Sequence, residues 1–427
     1  MEENPTDEKR AFAIDVVRRL RDARYEALFA GGCVRDQLLG LTPKDYDIAT
    51  SATPEDVKRI FGRRKTLAVG AAFGVMIVLG PGKRAGQIEV ATFRSDGDYR
   101  DGRRPDSVQF STAEEDAQRR DFTINGMFFD PLGDRLIDYV GGREDLARRM
   151  VRAIGRPEDR IAEDKLRMLR AVRFAARFDF ALEEATAAAV RHHAAEIGVV
   201  SAERIAEEMR RLLSHPNRAC GVRLAFEVGL LPKLLPELAD FSPMSDAGRR
   251  TLLWLEALAN QSARFAPALA ALLCGCGAWG DNMPDFPAAL AVAPKIAARW
   301  KLSNEERSEL EFLLAKCPAV FTAGEQPWPA VQRILIVPWT PALLDLSEAL
   351  IQIVTAPRQG IDLCRAKLAL PWRKLNPPPL IDGNDLQAMG LQPGPQFAVF
   401  LRGVRDEQLL GRLTDKPSAL AWVRERS

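Results

Sequence analysis

Near residue 150 the sequence changes texture, and that change limits the possible folds more than any other feature. Before it, short β-like runs alternate with short helical stretches and Gly-rich turns. After it, apolar residues recur at spacings of three and four almost throughout, the period of an amphipathic helix. The first part reads as a helix around 8–23, the apolar run Ala27-Leu28-Phe29-Ala30, the turn Gly31-Gly32 and a short helix ending near Leu39. A strand is expected over Asp45–Ala49, then a helix with Thr53 as N-cap and Pro54 at its first position. Gly74–Leu79 and Gln87–Arg94 are strand-like runs on either side of the turn Pro81-Gly82, and the polar stretch Ser95–Asp106 reads as a mobile loop. The second part breaks at His215-Pro216, at Phe241-Ser242-Pro243, through 317–329 and at Asn376-Pro377-Pro378-Pro379. With 427 residues there is too much chain for one core. The expected architecture is an α+β head over 1–148, a sheet with helices, followed by an all-α neck (149–215), body (216–330) and tail (331–427).

Charge alone gives little direction, since 60 Lys and Arg against 58 Asp and Glu leave a net +2. Any nucleic-acid contact must therefore rest on local clusters of basic residues. Among six cysteines the one close pair, Cys274-Gly-Cys276, has no second pair and no nearby His, which argues against zinc. Scattered thiols suit a reducing, cytoplasmic setting. The first residues, MEENPTDEKR, are polar, and no run approaches the ~18 apolar residues that a membrane span needs. A cytoplasmic protein without a membrane segment is expected.

The chemistry concentrates in Gly31-Gly32-Cys33-Val34-Arg35-Asp36 and Asp45-Tyr46-Asp47. On a strand, positions two apart share a face, so Asp45 and Asp47 project together. Two like charges that close need a cation between them, and magnesium is commonly held by one or two carboxylates plus substrate phosphates. Glu89, in the strand-like Ile88-Glu89-Val90-Ala91, offers a third carboxylate from a neighbouring strand. An Asp-x-Asp by itself is commonly just a solvated strand end. The order of strand, Gly-Gly, helix, Asp-x-Asp and carboxylate strand is far more specific, because a Gly-rich turn opening a helix favours anions.

Gly31 to Thr50 resembles the signature of polymerase-β-like nucleotidyltransferases, in the class II branch that holds tRNA CCA-adding enzymes and bacterial poly(A) polymerases. The resemblance implies a polymerase-β-like nucleotidyltransferase sheet in the head. It implies Asp45 and Asp47 as ligands of catalytic Mg2+, with Glu89 beside them, and Gly32 and Arg35 against the incoming nucleotide. It continues through Phe93-Arg94 and a loop carrying Asp98, Asp101, Arg103 and Arg104. Next comes Arg119-Arg120-Asp121-Phe122-Thr123-Ile124-Asn125, which is similar to the family's ribose- and phosphate-binding motif. That similarity implies Arg120 on the triphosphate and Asp121 with Asn125 near the ribose. Relatives commonly carry Ala where this chain has Gly126.

Glu163-Asp164-Lys165-Leu166-Arg167 reads as the opening of a helix that runs on through Arg170, Arg173 and Arg177. An Arg-rich solvated helix would show the same spacing. A carboxylate accepts hydrogen bonds and a guanidinium donates them. Side by side they match the amino group and ring acceptor shared by cytosine and adenine, and mismatch uracil and guanine. The stretch resembles the family's templating motif, which implies Asp164 and Arg167 as base readers, Glu163 as support for Arg167, and Arg170 and Arg173 on phosphates. Ser201–Glu208 resembles the next motif, thought to brace the neck.

Asp382-Gly383-Asn384-Asp385-Leu386 and Gly390–Pro395 resemble a tail segment that holds the tRNA elbow in relatives. The activity expected is template-independent CCA addition to tRNA from CTP and ATP, with no obligate protein partner evident. Poly(A) polymerase, an A-adding enzyme and, from another class, an inactive tRNA-binding protein remain as alternatives.

Overall fold

A computed structural model describes residues 5–70, 74–82, 84–96, 108–280 and 283–427. The loop residues Asp98, Asp101, Arg103 and Arg104 lie outside that set. The chain divides into two compact units, 1–212 with 220–236 and 213–219 with 237–427.

The first unit is built on a seven-stranded sheet in the order β3-β4-β5-β2-β1-β8-β9. Its strands are β1 (Ala27–Ala30), β2 (Asp47–Thr50), β3 (Thr66–Gly70), β4 (Val75–Leu79), β5 (Gln87–Thr92), β8 (Phe128–Asp130) and β9 (Arg135–Ile137). A separate ladder joins β6 (Arg94–Asp96) to β7 (Val108–Phe110). Every neighbouring pair in the large sheet is antiparallel except β2 and β5, which run parallel. Helices α1 (Pro5–Asp22) and α3 (Pro54–Phe61) contact the strands and each other, and Val16, Val17, Leu20, Ile48, Ile88 and Val90 are fully or nearly fully buried. Leu28, Ala30, Ala49 and Phe128 form a second apolar cluster with Phe93 and with Ala113 and Ala117 of α4 (Ala113–Gln118). Thr53 caps α3 as expected, accepting the Asp56 N–H at 3.3 Å in a reciprocal capping box.

Two expected elements begin elsewhere. The strand predicted from Asp45 starts at Asp47, because the β1 ladder ends with Ala30 opposite Asp47. At Gly31 the backbone turns with φ +68° into α2 (Gly32–Leu38), so no strand residue remains opposite Tyr46 or Asp45. The helix predicted from Glu163 is broken in two: α6 (Pro157–Glu163) stops and α7 (Leu166–Phe178) begins after Asp164, which is extended at φ −148°. Asp164 Oδ1 accepts the N–H of Leu166 at 3.0 Å, a local bond that competes with continuation of the helix.

Helices α6 to α9 belong to the same unit as the sheet; α5 is Gly142–Ala147, α8 Glu184–His193 and α9 Ala202–Leu213. Strand β10 (Met150–Val151) pairs in parallel with β11 (Ala181–Leu182), knitting the segment after the sheet to the end of α7. Gly126 is explained by close approach: a Cβ there would stand 2.7 Å from Val140 Cγ2 and 3.0 Å from Ile154 Cδ1.

The second unit is helical. Trp254 is fully buried, donates to Leu346 O at 3.0 Å and meets Trp279 and Phe286 edge to face. Towards the C-terminus Ile381, Leu386, Phe400, Val404, Ala419 and Val423 form their own apolar cluster. Among the described residues no single helix is long and apolar enough to cross a membrane.

A buried ion pair ties α7 to α9: the Arg173 guanidinium donates to Glu208, and both residues are over nine-tenths buried. Removing one partner of such a pair strands the other's charge. Glu208→Ala should therefore cost about 3–5 kcal/mol of stability, read as a shift in the urea midpoint; a shift below about 1 kcal/mol would contradict this role.

Candidate active site

The parallel β2–β5 register sets Asp47 directly beside Glu89. Both side chains are exposed, while the flanking Ile48, Ile88 and Val90 are buried, so the carboxylates share the open face of the sheet. Asp45 lies outside the ladder, yet the alternation of exposed Asp45, buried Tyr46 and exposed Asp47 keeps the two aspartates on one side. Tyr46 is held inward by its ring contact with Phe29 at 5.3 Å.

The electrostatics of the three carboxylates are unequal. Crowding by protein first, then the charges of Glu89 and Asp45, push the Asp47 carboxyl up to about 6, against the pull of Arg120 and Lys9. Asp45 meets the Lys9 ammonium at 2.5 Å, and Lys9 also donates to Lys44 O at 3.0 Å. Lys9 was not singled out in the sequence. It lies far upstream on α1, in a charged run that resembles any solvated helix face.

Gly31 opens α2 and must be glycine on two counts: its φ is positive, and a Cβ there would stand only 3.1 Å from Arg120 Nη1. Arg35, one turn on, is buried rather than presented to solvent. It donates to Asp36 at 2.6 and 2.9 Å and to Asn125 Oδ1 at 2.5 Å, and lies over the Phe178 ring at 4.4 Å. Burial pushes the neighbouring Cys33 thiol up to about 12, so that cysteine is a packing group.

The segment Arg119–Asn125 is clamped from below. Buried Asp116 takes Arg119 at 2.7 and 2.9 Å and Arg120 at 2.8 and 3.1 Å. Fully buried Asp145 accepts from Thr123 Oγ1 at 2.7 Å and from Arg152 Nε at 2.8 Å. Asp121 accepts from Asn125 Nδ2 at 3.1 Å and from Arg170 at 2.5 and 2.9 Å. Thus Asp121, Asn125, Arg35 and Arg170 are brought into one network.

The helices α6 and α7 place the remaining candidates. Asp164 is bridged to Arg204 of α9 at 2.6 and 3.2 Å. Arg204 had no separate role in the sequence reading beyond its place in Ser201–Glu208. Arg167 donates from Nη1 to Glu163 and to Arg160 O, the latter at 2.7 Å. Arg170 spans Asp121 and Glu208, the latter at 3.6 Å. Arg173, read in the sequence as a phosphate contact, is buried on Glu208 with its guanidinium 4.1 Å from the Phe174 ring centroid.

A sheet whose open face carries Asp47 and Glu89, beside a Gly-Gly turn and an arginine-clamped loop, defines the head of a nucleotidyltransferase. Residues 27–152 match the family described as "Poly A polymerase head domain", and 179–242 match "Probable RNA and SrmB- binding site of polymerase A". The CCA-adding enzyme of Lactobacillus helveticus is 34% identical over 413 residues, covering 96% of this chain and 95% of that one. That of Geobacillus thermodenitrificans is 35% identical over 429 residues, with 97% and 96% covered. The crystal structure of Bacillus stearothermophilus CCA-adding enzyme in complex with CTP superposes with a TM-score of 0.75 at 30% identity, covering 100% of this chain and 98% of that chain. The chain belongs to the CCA-adding enzyme family.

The Asp121 network has a measurable pH signature. Burial alone would raise the carboxyl, but the Arg170 charge and the hydrogen bonds from Asn125 and Arg170 bring it down to about 2. A depressed value stabilises the fold fully above the unfolded value of 3.8 and is lost as pH falls from there towards about 2. Between pH 5 and pH 2, the native protein should lose on the order of 2 kcal/mol more than Asp121→Asn, as measured by urea unfolding at each pH. Parallel pH profiles for the two proteins would refute the pairing.

Proposed function

We propose that this protein adds C, C and A to the 3′ end of tRNA from CTP and ATP without a nucleic-acid template. The observation that carries the reading is the β2–β5 register, which sets Asp47 beside Glu89 with Asp45 on the same side. Support for the substrates comes from the family: its members bear the name CCA-adding enzyme, and the Bacillus stearothermophilus relative was crystallised with CTP. Six cysteines, none of them in a disulfide, support a reducing, cytoplasmic setting.

The site suits magnesium. Its donors are all carboxylate oxygens, and burial first, then the charges of Glu89 and Asp45, raise the Asp47 carboxyl. Among the described residues no group of three or more His, Cys, Asp or Glu side chains is gathered to hold an ion alone. Two carboxylates from Asp45 and Asp47 leave the other positions to water and triphosphate oxygens, the arrangement Mg2+ favours. When bound there, Mg2+ would activate the RNA 3′-hydroxyl and neutralise charge on the departing pyrophosphate. Glu89 adds its charge beside Asp47 and helps fix the cation's place. Lys9 occupies Asp45 in the meantime and must give way when the ion binds.

In this reading the chain's own residues hold and select the nucleotide. Gly32 lets the backbone come close to the nucleotide, and Arg120 faces its phosphates from the Asp116 clamp. Asp121 and Asn125 take the ribose. Asp164 and Arg167 read the base edge, their planes fixed by Arg204, Glu163 and Arg160. Arg35, Arg170 and Arg173 act from beneath as the cations that hold Asn125, Asp121 and Glu208 in place. The head, neck, body and tail divide these tasks, with chemistry in the head and base choice in the neck.

The test is product length by gel on tRNAs ending before, within and just short of CCA, given CTP, ATP or both. Addition that stops at CCA is expected; an A-only product or a long A tail would replace this reading. Asp47→Asn should abolish transfer while leaving the metal-free fold at least as stable at pH 7.5, where a carboxyl held near 6 is charged at a cost. Retained transfer in magnesium would overturn the metal assignment. Arg167→Ala should reduce discrimination against UTP by about 5- to 150-fold, the equivalent of the ~1–3 kcal/mol for an unpaired buried polar group. Undiminished rejection of UTP would place base reading elsewhere.

A further inference from the structure

Lys165 stands between the two proposed base readers, Asp164 and Arg167, and turns its side chain elsewhere. It is only 8% exposed, although lysine is almost never buried without a partner. Its ammonium lies 2.7 Å from Glu196 Oε2 and 3.2 Å from His193 Nδ1. His193 Nδ1 in turn lies 2.7 Å from Glu196 Oε1, so the three groups close a triangle. His193 ends α8, and Glu196 sits on the 3-10 turn that follows, Ala194–Val199, which packs on α7. Hydrogen bonds from Lys165 first and His193 second hold the Glu196 carboxyl down to about 2.

A lysine serving only solubility would keep its ammonium in water. This one is drawn inward at a point where the backbone matters. Asp164 is the extended residue between α6 and α7, and Lys165 turns back towards helix at φ −60° and ψ −20°. Asp164 O accepts from Arg167 N at 3.0 Å, and Lys165 O from Met168 N at 3.2 Å, so both residues open the first turn of α7.

Charged groups hold this break from two directions. Arg204 of α9 grips the Asp164 carboxylate, while Glu196 and His193 grip the very next side chain. Arg204 alone would fix the end of the Asp164 side chain and leave the peptide behind it free to swing. With Lys165 tied down as well, two successive residues are anchored and the carboxylate keeps one plane. A group that matches a base edge has to be held within about 0.5 Å of its working position, and neighbours that lock its support do that.

We infer that Lys165, tethered by Glu196 and His193, is a positioning residue for nucleotide selection: it fixes the peptide that carries Asp164 and does not itself meet the nucleotide. The inference rests on the proposed base-reading role of Asp164 and Arg167. It gives His193 and Glu196, outside every motif of the sequence, a share in the choice of base.

The experiment measures kcat and KM for CTP, ATP, UTP and GTP on tRNA transcripts ending before and within CCA. It compares the native full chain with Lys165→Met, Glu196→Gln, the double variant and Arg167→Ala. Urea midpoints check folding, and because Glu196 is exposed, Glu196→Gln stays informative if Lys165→Met does not fold. Each single variant should lower the kcat/KM preference for CTP over UTP, and for ATP over GTP, about three- to tenfold, the range of one weakened hydrogen bond. The loss should appear as a raised KM for CTP and ATP, with kcat changed less than about twofold. The double variant should be no worse than either single one, since both break the same tether. Undiminished preference, or a fall in kcat alone, would reduce Lys165 to a prop of the fold and overturn the inference. Additive losses in the double variant would mean that the two residues act apart, and would overturn the tether. If the Lys165 and Glu196 variants relax the choice and Arg167→Ala does not, base reading lies off Arg167 and the tether stands. If Arg167→Ala alone relaxes it, the base readers stand and the tether falls. A native chain that adds only A would replace the CCA reading, and the ATP-over-GTP preference would still decide the tether.

Discussion

The Asp121–Arg170 ion pair is the contact on which the rest of the candidate site depends. Arg170 belongs to α7 and Asp121 to the loop that follows α4, so the pair joins that loop to the helices that follow it. From Arg170 the charges alternate onward to Glu208 and Arg173, reaching α9. A partly buried carboxylate held near 2 would be intolerable without that cation. The helices are therefore part of the site's wall and not an appendage to it. Aromatic rings insulate the same lattice: Phe174 packs edge to face on Phe122 and stacks on Phe178, with Arg35 and Arg173 against their faces.

Around the carboxylates the balance runs the other way, with Lys9 paired to Asp45, and Arg120 and then Lys9 offsetting the charge at Asp47. The two regions divide the problem. Positive groups in the lattice are paired and buried, and serve as fixed supports. Negative groups on the open face of the sheet are exposed, which is what the proposed metal and triphosphate would need. The loop Arg119–Asn125 lies between these regimes, with its geometry set from beneath by Asp116 and Asp145.

Much of this was legible in the sequence wherever the signal is local. The Thr53 cap, the Gly31-Gly32 turn into α2 and the alternation through Asp45–Ile48 follow from residue types at short spacing. Glu163 as a support for Arg167 came from the resemblance, and the structure pairs the two. What the spacing hid was pairing at long range. Asp164 and Arg167 were read as neighbours on one helix, yet Asp164 lies in a break and bonds forty residues onward to Arg204. Arg173 was read as a phosphate contact, yet it lies buried against Glu208. Lys9 gave no sign at all, because nothing in a charged N-terminal helix says which lysine will reach a carboxylate on a strand. Of Ser95–Asp106, which the sequence suggested as a movable loop, Ser95 and Asp96 instead belong to β6, and the rest lies outside the described residues.

The chain order of the lattice bears on synthesis at the ribosome. The sheet strands that gather Asp47 and Glu89 are complete early, whereas Arg170 and then Glu208 emerge only after the whole head has been made. Until Arg170 arrives, Asp121 has no guanidinium to neutralise it, and the loop that carries it lacks its main external tether. An unfinished chain would thus have its carboxylate cluster before the loop carrying Asp121 was settled. The loop carrying Asp121 would be settled only by the same helices that bring Asp164 and Arg167. If the proposed roles of these residues hold, a nascent or truncated head would not become competent before it became selective.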